Sequence, residues 1–330
     1  MREDRATRVP ARAGYLRLSV TGRCGLRCPY CQPEGPQSLA SVPSMLAPEE
    51  IRRVVSALAR MGTSHVRLTG GEPLARRDCG QIVESIAHVP GIVDIAMTTN
   101  GQGFADRVRE FAAAGLTRIN IHIDSLRPDR YRALARRGSL AAALRSVEAA
   151  CRENLRPVKI NMVLMKGIND DELPAFCRLA CEWGVTVRFI ELMNTGPASA
   201  FVRQHFMSAA EAREQLARSH SLALRFEDRG ASPAREYNVD HGAGTIGFIA
   251  SETEPFCLAC NRVRVTAEGR LKVCLYEADG LDLRALVRDP AVGDRQLADQ
   301  IAAALDGKRS HHPAFGQAGE APFAMAQIGG

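Results

Sequence analysis

The sequence predicts an α/β fold: an incomplete (β/α)6 TIM-like barrel over residues 14–200, its open side closed by a C-terminal α+β extension over 201–330. Three observations lead there. Strand-like and helix-like patterns alternate from residue 15 to about 192, the order of parallel βα units. Six such units fit an incomplete barrel better than one closed by eight. After residue 192 the alternation stops, and short runs and turns take over.

The strands are 15–20 (YLRLSV), 64–69 (HVRLTG), 93–99 (VDIAMTT), 118–124 (RINIHID), 157–164 (PVKINMVL) and 185–192 (VTVRFIEL). Helical patterns lie between them near 48–61, 78–88, 104–114, 139–153 and 171–183. The first opens on Pro48-Glu49-Glu50, a proline in the first turn and acids at the positive dipole end. Asp170 is placed to cap the last. Asn194-Thr195-Gly196-Pro197 is loop chemistry. Beyond it come a helix near 208–219, strand-like runs near 222–226, 235–239 and 244–249, and helices near 281–288 and 294–305. The end, 306–330, reads as irregular. Residues 1–13 read as a mobile basic arm with Arg2, Arg5, Arg8 and Arg12; Glu3, Asp4 and the lack of an apolar run argue against a targeting peptide.

Strand parity predicts what the barrel encloses. Leu16, Leu18 and Val20 share one face of the first strand; Arg17, Ser19 and Thr21 share the other. The same split sets Val66 and Leu68 against Arg67, Met97 against Thr98, Ile121 against His122, Ile160 against Lys159, and Val187 against Arg188. The apolar faces can pack on helices. A polar lumen is costly unless its groups are paired or hold a polar ligand. The competing arrangement, an antiparallel sheet with one wet face, suits the intervening helices less well.

Composition narrows the function. Of 330 residues, 45% are hydrophobic, enough for a full core, and no apolar run is long enough to span a membrane. The net charge of +6 suits an anionic small molecule as well as a nucleic acid. An aromatic content of 5% speaks against a base-stacking platform. Ten cysteines in a long chain without a signal peptide indicate a reducing cytoplasm and metal ligation rather than disulfides. Cys79, Cys151, Cys177 and Cys181 read as small core hydrophobes, although the last two can share a helix face.

The other six fall into two groups of three. Cys24, Cys28 and Cys31 follow the first strand with C-x3-C-x2-C spacing. Three thiolates can hold three irons of a [4Fe–4S] cube and leave the fourth open; zinc usually takes four ligands, and no His lies nearby in sequence. Thr69-Gly70-Gly71-Glu72-Pro73 ends the second strand, where glycine permits close backbone approach to a ligand and Glu72 can accept from an ammonium. Cys257, Cys260 and Cys274 form C-x2-C-x13-C, which also fits half of a zinc site. Arg262 and Arg264 alternate with Val263 and Val265, so both guanidiniums face one way and suit a phosphate or carboxylate.

C-x3-C-x2-C with Tyr30 before its last cysteine resembles the signature of the radical S-adenosylmethionine enzymes. With RLTGGEPL at 67–74, TTNG at 98–101, KGIND at 166–170, RFIELM at 188–193, CNRVRVT at 260–266 and Gly329-Gly330, the chain from about residue 14 resembles one family within them, the GTP 3′,8-cyclases of molybdenum-cofactor biosynthesis. The resemblance implies two [4Fe–4S] clusters, S-adenosylmethionine, and GTP as substrate. It implies that Tyr30, Gly70, Gly71, Glu72, His122 and Met193 contact S-adenosylmethionine. Arg17, Arg67, Thr98, Lys159, Arg262, Val263 and Arg264 would hold GTP, with Arg17, Arg262 and Arg264 also catalytic, and the Gly-Gly tail would reach into the site. His122 stands where the family commonly has serine and reads as a neutral hydrogen-bonding replacement. The family further implies a flavodoxin- or ferredoxin-type reductant and delivery of the product to a cyclic pyranopterin monophosphate synthase, with no nucleic acid or membrane. Monomer and homodimer both stay open. Two other readings compete: a peptide-modifying radical enzyme with one auxiliary cluster, and a zinc-stabilised nucleic-acid-binding barrel without catalysis. The first leaves Arg17, Lys159, Arg262 and Arg264 unexplained.

Overall fold

The computed structural model describes residues 13–31, 45–194, 198–226, 232–242, 244–277 and 280–306. Residues 1–12 of the basic arm, Thr195-Gly196-Pro197 and the Gly329-Gly330 tail lie outside the described residues. Ala13, placed in the arm by sequence, is instead buried in the core.

Six strands follow the predicted pattern: β1 (Tyr15–Ser19), β2 (His65–Thr69), β3 (Asp94–Thr99), β4 (Arg118–His122), β5 (Lys159–Val163) and β6 (Thr186–Ile190). They pair in parallel, in chain order. Their apolar parity is buried: Leu16, Leu68, Met97, Ile121, Ile160 and Val187 are all at 0% exposure.

The C-terminal part joins the same sheet. Its strands are β7 (Leu222–Leu224), β8 (Arg235–Val239), β9 (Gly244–Ile249), β10 (Arg262–Val265), β11 (Arg270–Lys272) and β12 (Leu281–Asp282). β9 runs parallel beside β6, and β10 runs parallel beside β1. The parallel run is therefore β10-β1-β2-β3-β4-β5-β6-β9, longer by a strand at each end than the six units predicted. Periodicity marks both runs as strands but carries no information on their partners. Antiparallel pairs extend the edges, β11 and β12 beyond β10, β8 and β7 beyond β9, and the sheet stays open.

Helices α1 (Pro48–Arg60), α2 (Cys79–Ala87), α3 (Val108–Ala113), α5 (Leu140–Arg152) and α6 (Leu173–Trp183) fall where predicted. α1 shows why: Pro48 starts it, Glu50 accepts from the Ala47 amide at 2.7 Å, and Ile51, Val54, Val55 and Leu58 form its buried stripe. α4 (Pro128–Ala135) was not predicted; Pro128 in its first turn is its sequence signal. Asp170 does not cap α6. It opens a short 3-10 turn, Asp170–Glu172, and its carboxylate accepts from the Gly167 amide at 2.9 Å. The remaining helices are α7 (Ser199–His205), α8 (Ala209–Ala217), α9 (Leu283–Arg288) and α10 (Asp294–Leu305). A boundary at residue 200 falls inside α7. Among the described residues no helix is long and apolar enough to cross a membrane.

Candidate active site

The polar strand faces enclose a cavity of about 820 Å³. Among the described residues, seven arginine and lysine side chains line it: Arg17, Arg67, Arg118, Lys159, Arg188, Arg262 and Arg264. Register explains their grouping. Arg17 on β1 is paired in position with Arg264 on β10 and with Arg67 on β2. Three guanidiniums thus stand in one row on strands about 4.8 Å apart. Arg262 lies one row lower and stacks over Phe256 at 4.7 Å. Val263 differs from the expectation. Its side chain is fully buried in the core on the opposite face, as strand alternation requires.

The electrostatics of this row are strained. Burial, then the charges of Arg264, Arg67 and Arg262, push the Arg17 guanidinium well below its ordinary pKa range. Burial and Arg262 lower Arg264 to about 10, and burial and Arg67 lower Arg188 to about 10. Burial, reinforced by Arg188, brings Lys159 down to about 8, although Glu236 opposes the shift. Arg67 donates to Tyr15 Oη at 2.5 Å and Thr98 Oγ1 at 3.3 Å. Arg118 is held by Asp94 at 2.6 Å. Lys159 pairs with Glu236 from β8 at 3.3 Å.

Among the described residues, five buried side-chain polar atoms have no hydrogen-bond partner: Thr69 Oγ1, Asn120 Oδ1, Asn161 Oδ1, Arg188 Nε and Ser251 Oγ. All five residues line this one cavity. Orphaned polar atoms cost free energy when buried, so their concentration here marks a site for a polar ligand.

Past the strand ends, Cys24, Cys28 and Cys31 line the same cavity, half-buried. Burial raises the Cys28 pKa well above the ordinary thiol value, and nearby Asp124, Cys31 and Cys24 add to it. Burial thus disfavours the thiolate at Cys28 unless a cation compensates it, which suits a metal cluster. Asn100 Nδ2 points at Cys24 Sγ at 3.7 Å. The loop is fixed from two sides. Arg27 donates its amide to Ala135 O at the end of α4 (3.0 Å). Gly71 and Glu72 donate theirs to Thr21 O and Arg23 O, both at 2.7 Å. A Cβ at Gly70 would strike Thr21 O, and one at Gly71 would strike Arg23 O. The two glycines therefore let the GGEP turn press on the cysteine loop itself, rather than only on a ligand.

Glu72 lines the cavity and also braces the turn. Its carboxylate already accepts from Thr99 Oγ1 (2.7 Å), the Asn100 amide (2.7 Å) and the Leu74 amide (3.1 Å). It staples the GGEP turn to the TTNG turn, and its lone pairs leave room for about one further donor. We expect Glu72→Ala to strand those three donors and destabilise the protein by about 3 kcal/mol, read from urea unfolding midpoints. A loss below about 0.5 kcal/mol would show that the staple does not hold the turn.

Tyr30, His122 and Asp124 form a triangle: Tyr30 Oη lies 2.6 Å from both His122 Nε2 and Asp124 Oδ2, and His122 Nε2 lies 2.8 Å from Asp124 Oδ2. Burial lowers the His122 pKa, but the charge of Asp124, its hydrogen bond, and Glu72 outweigh it, and the net shift is upward. Met193, Thr98 and His122 all face the cavity.

The second cysteine group stands at its edge. Phe256, Asn261 and Leu275 line the cavity, and Cys257, Cys260 and Cys274 are their immediate neighbours in the chain. The Cys260 amide donates to Cys257 O at 3.2 Å, and the β10–β11 hairpin returns Cys274 toward them. Arg264 feels both Cys260 and Cys274. Among the described residues, neither cysteine group closes to the spacing of a single-ion site.

Sequence reading missed several carboxylates. Glu191, in the RFIELM segment, accepts from the Ala209, Glu252 and Thr253 amides at 2.8–3.0 Å and so ties β6 to the segment leading to the second cysteines. Glu236 has no motif around it; only the folded strands reveal what it faces.

An open parallel barrel with three cysteines after its first strand defines a radical S-adenosylmethionine protein, and the model of the Radical SAM superfamily matches residues 18–180. Molybdenum Cofactor Synthesis C matches residues 185–314. The chain is 42% identical over 319 residues to the GTP 3′,8-cyclase of Pelotomaculum thermopropionicum, covering 96% of this chain and 97% of that one. It is 40% identical over 321 residues to the GTP 3′,8-cyclase of Heliobacterium modesticaldum, with coverage of 96% and 97%. This chain belongs to the GTP 3′,8-cyclase family. In fold it is similar to Streptococcus suis SuiB bound to S-adenosylmethionine, with a TM-score of 0.59 at 12% identity over 87% of this chain and 68% of that one.

Proposed function

We propose that this enzyme converts GTP to (8S)-3′,8-cyclo-7,8-dihydroguanosine 5′-triphosphate, the first step of molybdopterin biosynthesis. One observation carries the reading. A single cavity holds the Cys24-Cys28-Cys31 loop past the strand ends and the Arg264-Arg17-Arg67 row deeper between the strands. When bound, a [4Fe–4S] cluster on that loop and S-adenosylmethionine supply the 5′-deoxyadenosyl radical that takes hydrogen from C3′ of the ribose.

In this reading the protein's own groups bind, orient and shield. Arg17, Arg67 and Arg264 receive the triphosphate, because fixed guanidinium forks match phosphate oxygens and need little reorganisation. Arg262, Thr98 and Lys159 complete the nucleotide site. Tyr30, Gly70, Gly71, Glu72, His122 and Met193 line the space for S-adenosylmethionine, and the Tyr30–His122–Asp124 triangle holds the tyrosine ring in place. The buried strand faces keep water from a reactive carbon radical. Cys257, Cys260 and Cys274 would carry a second [4Fe–4S] cluster beside Arg264, offering the guanine an iron to bind. An electron from a flavodoxin- or ferredoxin-type protein in a reducing cytoplasm, and a cyclic pyranopterin monophosphate synthase that takes the product, complete the proposal.

The test is 5′-deoxyadenosine release under anaerobic conditions from reconstituted protein with dithionite and S-adenosylmethionine. Strong stimulation by GTP, with a cyclised triphosphate product, is the expected result. Release indifferent to GTP would remove the nucleotide from the radical site.

Lys159 adds a pH dependence. With its pKa near 8 it is charged at about pH 7 and largely neutral by about pH 9. Phosphate binding requires the charged form, so KM for GTP should rise about tenfold over that interval. Lys159→Met should start high and flatten the profile. A parallel rise in both proteins would assign the titration elsewhere.

A further inference from the structure

We propose that Glu236 is an exchangeable counter-ion, an internal competitor that the substrate's phosphates must displace from Lys159 and Arg188. The inference rests on the reading of the cavity as a nucleotide site.

Register brings the carboxylate there. Arg188 on β6 is paired in position with Gly247 on β9, and Gly247 with Glu236 on β8. Glycine leaves the middle of that row without a side chain. A Cβ on Gly247 would sit 3.5 Å from Glu236 Cγ, at ordinary contact. Across the gap Glu236 Oε1 reaches Lys159 Nζ at 3.3 Å and Arg188 Nη2 at 3.4 Å. Its other oxygen lies 3.6 Å from Arg225 Nη1. Charge-assisted N–H···O contacts normally close to about 2.7–2.9 Å. One carboxylate shared loosely among three cations leaves an excess of positive charge, which a polyphosphate can meet more fully.

Two further features favour exchange over a fixed clamp. Arg188 Nε is buried, lines the cavity and has no acceptor, so the guanidinium is left partly unsatisfied with Glu236 in place. Arg225, at 42% side-chain exposure, offers the displaced carboxylate a partner nearer solvent. The product keeps its triphosphate, and a resident competitor that weakens substrate binding also speeds product departure.

The alternatives predict opposite signs. If Glu236 clamps Lys159 and Arg188 in position, or accepts a hydrogen bond from the substrate, Glu236→Gln weakens binding. A competitor, once neutralised, strengthens it. The measurement is titration of inorganic tripolyphosphate into full-length, cluster-loaded protein at about pH 6.5, where Lys159 stays charged. Glu236→Gln should bind about fivefold tighter than the unsubstituted protein, the scale of one half-buried ion pair, with KM for GTP and kcat both lowered. Glu236→Asp, which keeps the charge on a shorter arm, should fall between them and serves alone if the glutamine variant does not fold. Binding that is unchanged or weaker in whichever variant folds overturns the counter-ion while leaving the nucleotide site intact. No tripolyphosphate binding by the unsubstituted protein overturns both.

Discussion

Replacing Arg17 with alanine is expected to lower kcat/KM for GTP about a thousandfold, yet leave the substrate-free protein no less stable. Both effects come from one position. Arg17 sits at the centre of a row, with Arg264 on one side and Arg67 on the other. Burial and those neighbours depress its pKa, so without an anion the charge there opposes folding. A triphosphate reverses the sign: it brings negative charge to the row, and the guanidinium then donates in a poorly hydrated cavity where each contact is strong. Removing one partner of a buried charge pair costs about 2–5 kcal/mol, and the centre of the row belongs at the upper end. Arg17→Lys should recover only part of the loss, because a point charge replaces a planar fork. Thermal unfolding checks the second half: the midpoint without GTP should hold or rise, and the upward shift caused by GTP should shrink. A variant that unfolds earlier and still turns over GTP would make Arg17 a structural residue.

The same row shows how far sequence reaches. Arg17, Arg67 and Arg264 were each visible as cations on a polar strand face, because alternation along a strand is a local property. Their adjacency was not, since residues 17, 67 and 264 meet only through parallel pairing across β1. β10 illustrates the limit: its alternation was legible, but its place beside β1 depends on a crossover through the whole extension. Carboxylates were read least well. Glu72, Glu191 and Asp124 look alike in sequence to any acid poised for a ligand, yet each accepts from a backbone amide of the fold. Val263 was included with its arginine neighbours by motif, although parity alone turns it into the core. Motif resemblance transfers a segment as a block; strand geometry then sorts it residue by residue.

The two cysteine groups should separate by phenotype when each is broken. Cys28→Ala removes a thiol whose environment is set by Cys24, Cys31 and Asp124 inside the cavity. Two remaining thiolates do not hold a cube, so 5′-deoxyadenosine release should fall to background, a loss of at least about 10³-fold. Cys274→Ala acts elsewhere, after the β10–β11 hairpin and next in the chain to Leu275, which lines the cavity. The Cys24-Cys28-Cys31 loop and its staple by Glu72 are untouched by that change. Iron should therefore drop from about eight to about four per chain. Some 5′-deoxyadenosine should still form, but without GTP cyclisation, because the base loses its anchor while Arg17 and Arg67 retain the phosphates. Retained GTP affinity at Arg17 and Arg67 distinguishes this from simple unfolding. If the unsubstituted protein carries about four irons and one zinc, or if Cys274→Ala cyclises GTP at an undiminished rate, the second group is a structural metal site and the guanine is held by protein side chains alone.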